Sequence, residues 1–426
     1  MHRFAAAVLV LLVALLAGVG GAGADPNDPA WQYEWGQRLT RTSDLWQVTT
    51  GDPGVVIAVV DTGLSPVPVP DMTHVIPGWD IVGNDSSTGD TFGHGTWVSS
   101  VIGAMGNNGA GIAGYCWNCS IMPVRVAAGR QGAVAPNIAA GIRWAVDHGA
   151  RIVNVSLASN EDDPDEYSAV EYAQSHNVLV VASAGNGGNT APLYPAAYGA
   201  TFPNVLSVAG TDESDHLYSW ASRGPTVTLS APGCTQLLDS SLGAASGCGS
   251  SFAPPAVSGI AGLLVSLRPQ LGMDQIAAAL EATAHHVDGI GKGRVDAWAA
   301  AHYLGLVGEQ PPAPTTTGTT PTPAPTPTPT ASPQVLVTTG VVRRTDTVRL
   351  PLAPGRLEVQ LYGAAAKDCS MSMRMGGTLF VDLPGERNVH TLAAIVRKRG
   401  DFTVTIRCSS VNRKPYELTA NAFFHA

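Results

Sequence analysis

Charge is scarce in this sequence: Asp, Glu, Lys and Arg make up 13% of its 426 residues, and the formal net charge is −9. An acidic chain repels phosphate backbones, so composition excludes a nucleic-acid binder and no nucleic-acid partner is expected. So little charge, with 48 glycines, also excludes a coiled coil, and 45% hydrophobic residues exclude disorder throughout. Both suit a tightly packed α/β body. Long apolar runs are missing too. The N-terminal one, residues 4 to 18, falls short of the ~20 residues that a bilayer requires, and no later run reaches that length, so no membrane span is expected.

What is present starts with an export signal. Met1-His2-Arg3 supplies a positive start, the apolar run follows, and Ala22-Gly23-Ala24 fits the small-residue cleavage pattern. Residues 1–24 therefore read as a leader, and the chain as secreted and extracellular. In an oxidising compartment the six cysteines are expected to pair. Proximity along the chain suggests Cys116 with Cys119, Cys234 with Cys248 and Cys369 with Cys408. The Cys116-x-x-Cys119 spacing also suits a metal or redox site, although no second Cys/His pair completes a tetrahedral one.

Residues 25 to 305 alternate β-like apolar runs (55–60, 121–126, 152–156, 178–182, 205–209) with amphipathic stretches (94–104, 137–148, 167–175, 251–267, 273–284). This is the pattern of a doubly wound, mostly parallel sheet with helices on both faces. Residues 306–334 are a Pro/Thr-rich tract that cannot pack a core, a linker spanning roughly 90 Å at most when extended. From 335 to 426, short alternating runs predict a small antiparallel β-sandwich. That last part carries 13 Lys and Arg against 7 Asp and Glu, whereas residues 1–334 carry 11 against 26. The split offers contact with an anionic cell surface through the C-terminal domain, beside the plainer reading of a solvated basic face.

Three short blocks carry chemistry. The apolar strand 55–60 ends in Asp61-Thr62-Gly63, a carboxylate at the C-terminal lip of a parallel strand, where α/β sheets place their sites. Phe92-Gly93-His94-Gly95-Thr96 sets a histidine between glycines at a helix start, so that backbone or substrate can come close to the imidazole. Gly249-Ser250-Ser251-Phe252-Ala253 brings a hydroxyl to the start of an apolar helix, where the dipole favours developing negative charge. Either serine also suits an N-cap. In the order Asp, His, Ser, the three blocks resemble the signature blocks of the subtilase family over residues 25–305. Pro26-Asn27-Asp28-Pro29 and Gly111-Ile112-Ala113-Gly114 resemble its thermitase branch. No lipase-type Gly-x-Ser-x-Gly elbow surrounds Ser251, which speaks against an α/β-hydrolase esterase.

The resemblance implies a serine endopeptidase that hydrolyses protein or peptide substrates through an acyl-enzyme. Ser251 is then the nucleophile, His94 the general base and acid, and Asp61 the group that orients the imidazole. Asn186, in Ser183-Ala184-Gly185-Asn186-Gly187, donates to the oxyanion. Substrate lies as an extended strand beside Ser156-Leu157-Ala158. Ser183 gives one pocket wall a polar character, with apolar or aromatic side chains preferred before the cut. A structural calcium is implied, held by the Asp28 and Asp71 side chains, the Asn108 amide and the carbonyls of Met105, Ala110 and Ile112. Loop capping is the competing reading of those acids. A second calcium at Asp80 and Asp85 is not expected, since Gly83 stands where a third carboxylate belongs. The family's inhibitory propeptide is not expected either, because Asp25 follows the leader directly. The alternative function is therefore a catalytically silent binding or surface-adhesion protein on the same fold, opposed by the complete Asp61, His94, Ser251 and Asn186 set.

Overall fold

The computed structural model describes residues 25–308, apart from 67–70, 130–132 and 239–242, and the backbone of strands between Gln334 and Phe423. The expected leader at 1–24 and residues 309–333 of the Pro/Thr tract lie outside the described residues.

Short helices α1 (Trp35–Leu39) and α2 (Thr42–Leu45) precede the first strand. The chain then runs through β1 (Val56–Asp61), β2 (Trp79–Asp80), α3 (His94–Gly103), β3 (Ser120–Arg125), α4 (Ala135–Asp147), β4 (Ile152–Val155) and α5 (Pro164–Ser175). It continues with β5 (Leu179–Ser183), β6 (Val205–Thr211), β7 (Leu229–Pro232), a hairpin of β8 (Cys234–Leu238) and β9 (Ala244–Cys248), α6 (Ala253–Leu267), α7 (Met273–Ala282), β10 (Gly293–Arg294) and α8 (Ala297–Tyr303). Eight strands form one parallel sheet in the order β10-β7-β6-β5-β4-β1-β3-β2. From β1 the chain first builds outward to β3 and then returns to place β4 on the other side. The switch point that α/β sheets use for their sites therefore lies at β1.

The apolar runs form strands because both sheet faces are covered. Along β1, Ile57 and Val59 join Val98, Val101, Ile260 and Leu264 in one core layer. Ala58 and Val60 point the opposite way, into a layer with Ile138, Ile142, Ala169 and Ala173. Alternation between two buried faces leaves no polar position to read, so the strand is a continuous apolar run. The stretch Ser250–Leu267 has the length and hydropathy of a membrane span, but 83% of it is buried inside the protein, as the core helix of this domain.

Two expected disulfides are formed, Cys116–Cys119 beyond α3 and Cys234–Cys248 across the β8–β9 hairpin. The remaining strands are β11 (Gln334–Val342), β12 (Thr345–Leu352), β13 (Gly355–Tyr362), β14 (Cys369–Met375), β15 (Thr378–Asp382), β16 (Val389–Val396), β17 (Gly400–Cys408) and β18 (Lys414–Phe423). They pair antiparallel as β11-β18-β13-β16 and β12-β17-β14-β15. The second group continues into the β8–β9 hairpin, where β15 lies parallel to β9. Cys369 stands directly opposite Cys408 in the β14–β17 register.

Candidate active site

Asp61 ends β1 and is fully buried. Its Oδ1 accepts the Thr62 N–H at 2.7 Å and lies 2.7 Å from Nδ1 of His94, the first residue of α3. Two glycines make that approach possible. Gly93 takes φ 108°, in the left-handed region that glycine favours, and a Cβ on Gly95 would collide with the Gly63 carbonyl. Burial alone would push the His94 imidazolium pKa down, but the charge and hydrogen bond of Asp61 outweigh it, and the group is held above its ordinary 6.5.

One residue that organises this corner was not anticipated. Asp90 Oδ1 accepts the N–H groups of Phe92 and Gly93 at 2.9 and 2.7 Å and the Thr62 hydroxyl at 3.0 Å. Its Oδ2 accepts the Thr96 N–H at 2.9 Å and hydroxyl at 2.7 Å. Thr62 Oγ1 in turn accepts the Gly95 N–H at 2.8 Å. One carboxylate thus satisfies the N-terminus of α3 and ties it to the turn after β1, fixing His94 against Asp61. The sequence signal was an acid four residues before the histidine.

Ser251 comes from a distant part of the chain. The β8–β9 hairpin leads to Gly249, whose N–H donates to the Gly233 carbonyl at 2.8 Å, and then to a 3-10 turn, Ser250–Phe252. The helix itself begins two residues later than the sequence implied, at Ala253, and neither serine caps it. Pro254 and Pro255 stand at its start instead, where a missing N–H is harmless. The Ser251 carbonyl accepts Ser156 Oγ at 2.7 Å, Ser156 Oγ accepts the Asn154 amide at 3.0 Å, and Asn154 accepts the Ser258 hydroxyl at 3.0 Å. This buried relay fixes the Ser251 turn to β4 and α6. The ring of Phe252, next in sequence to Ser251, lies 6.3 Å from that of His94.

Asn186 follows β5 and is exposed. The Ser250 N–H donates to its Oδ1 at 2.8 Å. With the oxygen engaged, the amide NH₂ is the end of that side chain still able to donate. Ser183, expected to make a pocket wall polar, is instead 4% exposed, and its hydroxyl pairs with Ser250 Oγ, next in sequence to Ser251, at 2.7 Å. A hydroxyl at a buried strand end takes the nearest polar partner in the protein rather than substrate. Of the expected substrate edge, Ser156 is likewise buried, while Leu157 is half-buried and Ala158 exposed. Beyond them Ser159 pairs antiparallel with Tyr194 through bonds of 2.9 and 3.0 Å.

Residues 52–313 match the sequence model of the subtilase family. The chain belongs to that family. Thermitase of Thermoactinomyces vulgaris is 38% identical over 285 residues, which cover 65% of this chain and 99% of thermitase. A thermophilic serine proteinase of Bacillus sp. (strain AK1) is 36% identical over 292 residues, covering 65% of this chain and 69% of that protein. Among solved structures, a protease of Pseudoalteromonas arctica PAMC 21717 matches with a TM-score of 0.59 at 26% identity, over 66% of this chain and all but 1% of that one, 99%. This thermitase-like subtilase is a serine-type endopeptidase.

In the subtilase the acids expected at calcium converge on one loop. Asp28 accepts the N–H groups of Asn107 and Asn108 at 2.6 and 3.2 Å, and Asp71 accepts the Ile112 N–H at 3.0 Å. The Asn108 amide NH₂ donates to Asp71 at 2.8 Å, so a half-turn of that amide would present its oxygen instead. Asp28 and Asp71 are 4% and 1% exposed and enter no ion pair among the described residues. Burial, with Asp28 nearby, pushes the Asp71 carboxyl up. No group of three or more His, Cys, Asp or Glu suited to a metal occurs among the described residues. The two carboxylates are hard oxygen donors of the kind that a calcium ion takes, while the Asn108 amide oxygen accepts the Ala110 N–H at 2.8 Å. At the second location, Asp80 is paired with the Arg125 guanidinium, which supplies the positive charge there.

Proposed function

We propose that this subtilase is a secreted endopeptidase that cleaves protein substrates through an acyl-enzyme on Ser251. The observation that carries the reading is the buried 2.7 Å contact between His94 Nδ1 and Asp61 Oδ1 beside the nucleophile turn. With Nδ1 engaged, the imidazole presents Nε2 to the cleft. Ser251 Oγ attacks the peptide carbonyl as His94 takes its proton, and His94 then returns that proton to the leaving amine. Asp61 holds the tautomer and stabilises the imidazolium. The Asn186 NH₂ and the Ser251 N–H receive the oxyanion, and water repeats the sequence to release the acyl group.

Residues 25–305 form the peptidase domain, 306–334 a linker and 335–426 a β-sandwich domain with a third disulfide, Cys369–Cys408, supported by their facing positions. Disulfides belong to oxidising compartments, which supports secretion together with the leader. Asp28, Asp71, Asn108 and the carbonyls of Met105, Ala110 and Ile112 hold a structural calcium, whose contribution is charge compensation away from the chemistry. The basic C-terminal domain contacts anionic cell surfaces.

The test is labelling with a fluorophosphonate followed by peptide mapping. Covalent label on Ser251 is expected, and a folded protein that takes no label there overturns the reading. Two further results follow from the geometry. Asn186→Ala is expected to lower kcat by about 10²–10³, a loss carried over from the oxyanion asparagine of subtilisin, with KM little changed. Only neutral His94 accepts the serine proton, so kcat/KM rises with pH as His94 deprotonates. The inflection of that limb is expected above 6.5 because Asp61 holds the imidazolium pKa up, and a limb centred at or below 6.5 would contradict the contact.

A further inference from the structure

Behind the substrate edge lies a carboxylate that the reaction does not use. Asp163 caps α5, accepting the Asp165 and Glu166 N–H groups at 2.9 and 3.1 Å, and Pro164 occupies the first helical position. Glu166 at the third position would ordinarily turn back to the cap as a capping box. Here it turns inward: it is 0% exposed, and its Oε2 lies 3.2 Å from Ser159 Oγ. That hydroxyl also faces the Glu161 carbonyl at 3.1 Å, and it has one proton for two acceptors. Glu166 Oε1 is buried with no partner.

The surroundings deepen the deficit. Glu161, Asp162, Asp163, Asp165 and Glu166 follow one another within six residues, and none enters an ion pair among the described residues. Burial first, then the charges of Asp163 and Asp162, push the Glu166 carboxyl up to about 8. A buried carboxyl in this condition keeps its proton at neutral pH and takes a cationic partner once it ionises.

Its position says where that cation comes from. On the peptidase reading, substrate lies extended beside 156–158, and the side chain of the residue before the cut is enclosed between that edge with Ser159 and the Ala184–Asn186 turn. Leu193 reaches the Gly185 turn, its side chain lying where a Cβ on Gly185 would be, and the next residue, Tyr194, is bonded to Ser159. Glu166 is attached to this enclosure through Ser159. On this basis we propose that Glu166 makes the enzyme select lysine or arginine as the residue before the scissile bond. A long basic side chain passes Ser159, whose hydroxyl rotates back to Glu161, and gives Glu166 a charge-assisted partner. This departs from the apolar preference that the family resemblance implied, and it rests on the peptidase reading of the site.

The experiment compares kcat/KM for peptides that differ only in the residue before the cut, measured above the pH at which Glu166 ionises. The mature enzyme is expected to favour Lys and Arg over Phe and Leu by at least about tenfold, the factor that a charge-assisted hydrogen bond supplies. Glu166→Gln should erase that ratio and Glu166→Leu invert it; because the ratio is taken within each enzyme, a general loss of activity cancels. Preference of the unmodified enzyme for Phe or Leu overturns the inference without any variant, as do variants that keep the Lys/Phe ratio. Failure to cleave any of the peptides overturns the peptidase reading and this inference with it.

Discussion

Replacing Ser251 by alanine is expected to lower kcat by about 10⁶-fold, a magnitude taken over from removal of the nucleophile in the related subtilisin. The loss should fall on kcat with little change in KM or in thermal stability. Ser251 is only partly buried, and its side chain makes none of the bonds that hold the turn. Those run through its carbonyl to Ser156 and through its neighbour Ser250 to Asn186 and Ser183. Alanine keeps every one of them. A second substitution at His94 should cost almost nothing more, since triad members act as a unit. Casein hydrolysis and fluorophosphonate labelling measured on the same preparation decide the matter: a Ser251→Ala enzyme that turned over casein at the original rate would remove Ser251 from the mechanism.

The parts of this site that were legible in the sequence are those whose environment is monotonous. A strand buried on both faces, such as 55–60, shows as an uninterrupted apolar run, and the acid that ends it is conspicuous for that reason. His94 shows because the two flanking glycines have no other purpose than close approach. The β8–β9 hairpin was hidden because Ala244, Ala245, Ser246 and Gly247 have little β-propensity, and pairing with β8 and the Cys234–Cys248 bridge, rather than side-chain preference, makes them a strand. Asp90 was hidden because its work is to satisfy backbone N–H groups brought together only when β1 and α3 meet. Glu166 was hidden behind an ordinary local motif, the acid three residues after a helix cap, and only tertiary packing turns it inward. Ser183 shows the reverse error, in which a polar residue beside the cleft was read as facing substrate.

With the proposed calcium bound, chelation is expected to lower the melting temperature by about 10 °C. A ligand at roughly a thousand times its Kd stabilises by about 4 kcal/mol, and each kcal/mol moves the midpoint of a domain this size by about 2–4 °C. The reason for expecting so large a coupling is electrostatic. Asp28 and Asp71 are nearly fully buried, and a third carboxylate, Glu34, is held up to about 8 by burial and then by the repulsion of Asp28 and Asp71. Glu34 accepts both the Ala113 N–H and the Gln37 amide, but it enters no ion pair among the described residues. Glu34 keeps its proton at neutral pH, and backbone N–H groups supply no net charge, so Asp28 and Asp71 have no countercharge among the described residues until a cation joins them. Asp71→Asn should reproduce the loss and make the remaining midpoint indifferent to chelator, because it removes one carboxylate while keeping the shape of the loop. Equal melting temperatures in calcium and in chelator for the unmodified enzyme would show that hydrogen bonds to the loop from Asn107 to Ile112 are all these acids provide.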